Sequence, residues 1–165
     1  MTSLSKQQQI FGLIAWLVIS FATSSIGAVA SIQAKSFYAL LSQPVWAPPP
    51  WLFGPVWTVL YGMMAIAAWL VWRSGGLRNN RIALFFFSAQ LILNALWSWL
   101  FFAWQLGAMA FAEIMLLWIF IVITVVLFWR VRPLAGAMLI PYLLWVSFAA
   151  ALNYTLWQLN SQALG

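Results

Sequence analysis

The sequence predicts an all-α integral membrane protein, a bundle of five transmembrane helices. Three observations predict it. Of 165 residues, 66% are apolar, against roughly 45–50% in soluble domains. Only eight side chains are charged, seven Lys or Arg and the single acid Glu113. The apolar residues fall into five runs, each near the length of about 20 residues that a spanning helix needs.

The first run extends from Ile10 to Ile32, after the polar stretch Lys6-Gln7-Gln8-Gln9. Lys6, the apolar stretch Ile10 to Phe21 and Ala28-Val29-Ala30 together imitate a cleavable secretion signal. The run continues through that site and exceeds the usual apolar core of such a signal, so it reads as a span. Ser20, Ser24 and Ala28 follow at four-residue spacing, as in a small-residue seam for close helix contact. The second run starts at Pro55, whose missing N–H is not needed in a first turn, and stops at Trp72, before Arg73. A polar connector, Ser74 to Arg81, leads to the third, Ile82 to Trp104. A turn at Gln105-Leu106-Gly107 leads to the fourth, Ala108 to Trp129. Arg130-Val131-Arg132-Pro133 ends it, and the fifth runs from Leu134 to Leu159. The whole chain forms one membrane domain.

Cytoplasmic loops are enriched in Lys and Arg. Five spans put Lys6, Arg73, Arg78, Arg81, Arg130 and Arg132 on one side and Lys35 alone on the other. The N-terminus is therefore expected in the cytoplasm. The basic residues punctuate spans and do not cluster on one face, so the net charge of +6 reads as a topology signal and not as a nucleic-acid surface.

The chain has no His, no Cys and one carboxylate. Metal centres of the usual kinds, thiol catalysis, Ser-His-Asp triads and paired carboxylates are excluded by inventory. No cofactor is expected. In their place stand 13 Trp, 13 Phe and 4 Tyr.

Five of the seven prolines lie between Pro44 and Pro55. Proline fixes φ and breaks helices, so the loop 33–54 is expected to be stiff and extended, a lid carrying Trp46 and Trp51. Gln90, Asn94, Trp97 and Phe101, spaced 4, 3 and 4, share a face of the third span. Tyr142, Trp145, Ala149, Leu152 and Leu156 share one of the fifth, with Phe148 and Asn153 beside it. Trp57 and Tyr61 lie four apart on the second. At about 1.5 Å per residue, Trp57 lies about 5 Å below the lid surface, Trp97 about 10 Å, Ala149 and Asn94 about 14 Å and Trp145 about 20 Å. Asn94 and Gln90 need partners inside the bundle, since lipid offers none. A polar pair, convergent indoles and a lid describe a pocket for a large, flat, mostly apolar ligand. Trp72, Trp104, Trp129 and Trp157 sit at span ends as belt residues. Trp118 lies mid-span, and Glu113, four residues into the fourth span, either snorkels to the surface or is protonated.

Three segments carry a resemblance over essentially the whole chain. They are Pro44, Trp46, Pro48, Pro49, Phe53, Pro55, Trp57, Leu60 and Tyr61; then Gln90, Leu91, Leu93, Asn94, Trp97 and Ser98; then Pro141, Tyr142, Leu143, Trp145, Phe148, Ala149, Leu152 and Asn153. The chain resembles the TspO/MBR family. That resemblance implies a five-helix membrane protein, commonly a homodimer, that binds porphyrins such as protoporphyrin IX and, in some members, sterols. It implies a ligand site lined by Trp57, Asn94, Trp97, Trp145, Phe148, Ala149 and Leu152, with Tyr38, Trp46 and Trp51 in or near the lid. Some bacterial members promote light-dependent porphyrin breakdown, and Trp57 and Trp145 match the tryptophans implicated there. Glu113 falls where members often carry an acid. The family's proposed sterol motif places a base where this chain has Gln158, so tight sterol binding is not expected. Two alternatives stand beside a porphyrin receptor or carrier: a proton-coupled exporter of aromatic cations using Glu113, and a porphyrin-degrading enzyme.

Overall fold

A computed structural model describes residues 4–165. Five segments are long and apolar enough to span a bilayer: Lys6–Ala30, Pro50–Arg73, Arg81–Ala103, Gly107–Val131 and Pro133–Leu159. They comprise helices α1 (Lys6–Ala30), α3 (Phe53–Arg73), α5 (Arg81–Ser98), α6 (Gly107–Val131) and the pair α7 (Pro133–Met138) and α8 (Ile140–Leu159). Short helices α2 (Ala34–Leu40) and α4 (Gly76–Asn79) lie in connections.

Ser5 accepts from the Gln8 backbone N–H at 3.2 Å while the Gln8 side chain accepts from the Ser5 N–H at 2.9 Å. This reciprocal cap satisfies two free donors of the first turn, so the polar stretch Lys6–Gln9 belongs to the first helix. The span thus starts earlier than expected, and turn residues replace its expected end.

The third span does not stay α-helical to its end. Trp99–Ala103 winds as a π-helix, and Gln105 turns the chain with φ of 56°. The fifth span is broken between Met138 and Ile140, where Pro141 stands in the first turn of α8. Proline lacks the N–H that would continue the ladder, and its ring crowds the carbonyl four residues back.

Contacts run α1 to α3, α3 to α7, α7 and α8 to α6, α6 to α5 and α5 back to α1. The spans therefore close a ring in the order first, second, fifth, fourth, third. The first and second spans approach closely near the basic end. A Cβ on Gly12 would stand 2.1 Å from the Trp72 ring, and the Trp69 indole donates to the Gln9 carbonyl at 2.8 Å. Trp72 is thus a packing residue and not the belt residue expected. Trp157 is likewise packed, stacked on Phe111 at 6.4 Å, while Trp104 and Trp129 stay exposed as a belt requires.

The loop between the first two spans is more structured than the expected extended lid, since it contains α2 and a 3-10 turn at Pro50–Leu52. Asn160, beyond α8, holds the loop down. Its side chain accepts from the Ser42 N–H at 2.8 Å and donates to the Ser42 carbonyl at 2.9 Å. The Tyr38 hydroxyl donates to the Pro48 carbonyl at 3.3 Å.

Candidate functional site

A cavity of about 380 Å³ lies beneath this loop, between α1, α3 and α5. Its aromatic wall is Tyr38, Phe53, Trp57, Tyr61, Trp97 and Phe102, with Asn94 as the deep polar group. The opposite wall is small: Ser24, Gly27 and Ala28 of α1. Two of the three residues of the expected α1 seam thus line the cavity instead of a helix contact. Only Ser20 is buried as a seam residue, with Gly12, Trp16, Gly27 and Ala30. The Trp72 ring seated against bare Gly12 at one end, and the short side chains of Ser24 and Ala28 facing the cavity at the other, leave the two helices tight at one end and separated by a hollow at the other.

The α3 and α5 walls are held by a directional chain of hydrogen bonds. The Tyr61 hydroxyl donates to Asn94 Oδ1 at 2.6 Å, Asn94 Nδ2 donates to the Tyr142 hydroxyl at 2.9 Å, and that hydroxyl donates to Gln90 Oε1 at 2.6 Å. Gln90 Nε2 reaches Met64 Sδ at 3.8 Å. Gln90 and Asn94 are both buried, and each finds the partners that lipid cannot supply. Trp97 is fixed separately. It stacks on Phe101 at 5.5 Å and 10°, and its indole donates to Asn153 Oδ1 at 3.0 Å. Asn153 in turn donates to the Gly107 carbonyl at 3.1 Å.

Of the ten residues expected at the ligand, four line this cavity: Tyr38, Trp57, Asn94 and Trp97. Trp145, Phe148 and Trp46 form a second aromatic group outside it, with Trp145 and Phe148 at 5.5 Å and Phe148 and Trp46 at 5.8 Å. Phe53 joins the two groups, packing on Trp145 at 5.9 Å and on Tyr38 at 5.8 Å. Trp57 covers Tyr142 at 6.2 Å. The Trp145 indole N–H is buried and has no hydrogen-bond partner among the described residues. Ala149 and Leu152 are buried in the core, and Trp51 is 70% exposed on the loop. Burial raises the Tyr38 hydroxyl above the ordinary phenol range, so it remains a neutral donor at physiological pH.

Elsewhere, the Trp118 indole donates to Ser147 Oγ at 2.8 Å and ties the fourth span to the fifth. Glu113 does not snorkel. It is buried, and both carboxyl oxygens lack a hydrogen-bond partner among the described residues.

Sequence reasoning missed the α1 wall, Phe53 and Asn160. Phe53 stood inside the Pro/Trp-rich motif and Asn160 just past the last apolar run, so both were in view as residues. The α1 wall carried no chemical signal beyond small size.

Fold and cavity define a five-span integral membrane protein with an aromatic, largely apolar chamber near one membrane face. Sequence comparison agrees with that class. The TspO/MBR family profile matches residues 13–158, and the chain belongs to this family. It is 46% identical over 128 residues to the tryptophan-rich protein TspO of Chlorobaculum tepidum, covering 77% of this chain and 81% of that one. It is 39% identical over 143 residues to protein CrtK of Rhodobacter capsulatus, covering 84% and 88%. With the human translocator protein it shares 37% identity over 130 residues, covering 78% and 77%.

Proposed function

We propose that this protein is a membrane receptor or carrier for a porphyrin-type tetrapyrrole, held in the cavity beneath the loop between the first two spans. The observation that carries this reading is the convergence of Trp57, Trp97 and Asn94 on one cavity of about 380 Å³, within the usual size range of ligand pockets. Indole faces favour a flat conjugated ring through stacking and burial. The relatives named sensory and translocator proteins support a receptor or carrier role. Trp145 and Phe148 lie behind Phe53, which packs between them and the Tyr38 side of the chamber. Two copies of the chain associate as a homodimer, with the N-terminus in the cytoplasm.

Titration of the purified protein with protoporphyrin IX, haem and cholesterol, followed by quenching of tryptophan emission, tests the reading. Saturable quenching by the porphyrins and none by cholesterol is expected, and absence of porphyrin binding would overturn it.

One observation favours a second reading. Glu113 is a buried carboxyl with no hydrogen-bond partner among the described residues, as an exchangeable proton site in an exporter of aromatic cations would be. Proton-coupled uptake into vesicles that Glu113→Gln abolishes would support it. Uptake indifferent to that change would remove it.

A further inference from the structure

We propose that Lys35 selects ligands carrying an acidic group, pairing with that acid at the cavity mouth while the ring lies against Trp57 and Trp97. The inference rests on the tetrapyrrole reading and narrows it to amphipathic aromatic acids.

Lys35 is the one basic residue between the first two spans, and with five spans the other six bases fall at the opposite end of the bundle. As a topology marker it is the exception to the charge asymmetry. The structure shows where it stands. Ala34, Lys35 and Tyr38 occupy one face of α2, spaced as helical neighbours, and all three line the cavity. Lys35 is exposed and Tyr38 is buried, so the face runs from an ammonium at the rim to a phenol beneath it.

No side chain of the protein neutralises this ammonium. The only acidic side chain is Glu113, which is buried in α6 and makes no hydrogen bond with either oxygen among the described residues. The remaining polar groups of the cavity do not supply a competing anion. Thr58 and Ser31 spend their hydroxyl protons on helix carbonyls at 2.9 and 3.0 Å, and the Asn94 amide is engaged with Tyr61 and Tyr142. The chamber is therefore apolar and aromatic inside, with a single unmatched positive charge at its rim. A neutral aromatic would leave that charge unused. A ring bearing a carboxylate uses both parts, the acid staying near water where its desolvation is small.

Protoporphyrin IX and its dimethyl ester differ in charge and little in ring area, so they separate the two contributions. In neutral detergent the wild-type protein should bind the diacid about fivefold more tightly than the diester, the scale of one partly exposed ion pair. The gap should narrow as salt is raised. Lys35→Gln should abolish the preference, and Lys35→Arg should retain it. Anionic lipid added to the detergent should narrow the wild-type gap by competing for Lys35, and should leave the Lys35→Gln protein unaffected. Equal binding of diacid and diester by the wild type, or a preference that survives Lys35→Gln, overturns the proposal and leaves the pocket reading intact. Failure of the wild type to bind either porphyrin instead removes the reading on which the proposal rests.

Discussion

Asn94 donates its amide N–H to the Tyr142 hydroxyl at 2.9 Å, joining the third span to the fifth across the bundle. The same amide accepts from Tyr61 of the second span at 2.6 Å, so one side chain links three of the five spans. Asn94→Ala leaves the buried Tyr61 hydroxyl without an acceptor, while Tyr142 keeps Gln90. The expected cost is about 1–2 kcal/mol, read as a lower thermal midpoint in detergent. Tyr61→Phe in the Asn94→Ala background should cost little more, because the stranded hydroxyl is gone.

The contact of Gly12 with Trp72 makes a second prediction. A Cβ at Gly12 would meet the indole at 2.1 Å, so Gly12→Ala must push α1 from α3. Overpacking of this kind costs about 1–3 kcal/mol. Gly62 has nothing within 4 Å of its would-be Cβ, and Gly62→Ala should be neutral or slightly stabilising. Thermal unfolding of the two variants side by side checks the difference.

Orientation is testable because the chain has no Cys. Single cysteines at Arg78 and Leu40 should label from opposite sides of the membrane, Arg78→Cys from the cytoplasm and Leu40→Cys from the other face. Membrane-impermeant maleimide applied to intact cells should reach only the second, and the reverse pattern would invert the topology.

Trp118 is exposed at 36% and donates to Ser147. Trp118→Phe loses that bond at the lipid-facing surface and should cost under about 1 kcal/mol, with porphyrin affinity unchanged. A large loss of affinity, measured by the same quenching titration, would place the ligand on the outer surface of α6 and α8.

Much of the fold was legible because membrane spans are written in composition. Apolar runs ended at Trp72, Trp104 and Trp129, and the helical spans end within two residues of them, at Arg73, Ala103 and Val131. The shared face of Gln90, Asn94 and Trp97 was also legible, since 3.6-residue spacing and the absence of hydrogen-bonding solvent force such residues inward. The position of the chamber was not. Depth counted along each helix orders residues along the membrane normal and says nothing of their position around the ring. Trp57 and Trp145 therefore looked like neighbours in one pocket, whereas Trp57 faces α1 and Trp145 packs behind Phe53. Helix α2 was hidden for another reason. Its seven residues are too short to show a period, and the adjacent prolines dominated the reading of the loop.

The chamber between α1, α3 and α5 is the proposed porphyrin site. Thr58 lines it and the next residue, Val59, does not, though both are exposed on α3. The most direct measurement is protoporphyrin IX affinity of Thr58→Trp against Val59→Trp, each bringing the same indole to the same helix. An indole at Thr58 fills the chamber and should weaken binding at least about tenfold, a loss of about 1.4 kcal/mol, while Val59→Trp binds as the wild type does. Equal affinity of the two variants would contradict the account and put the ligand elsewhere on the protein.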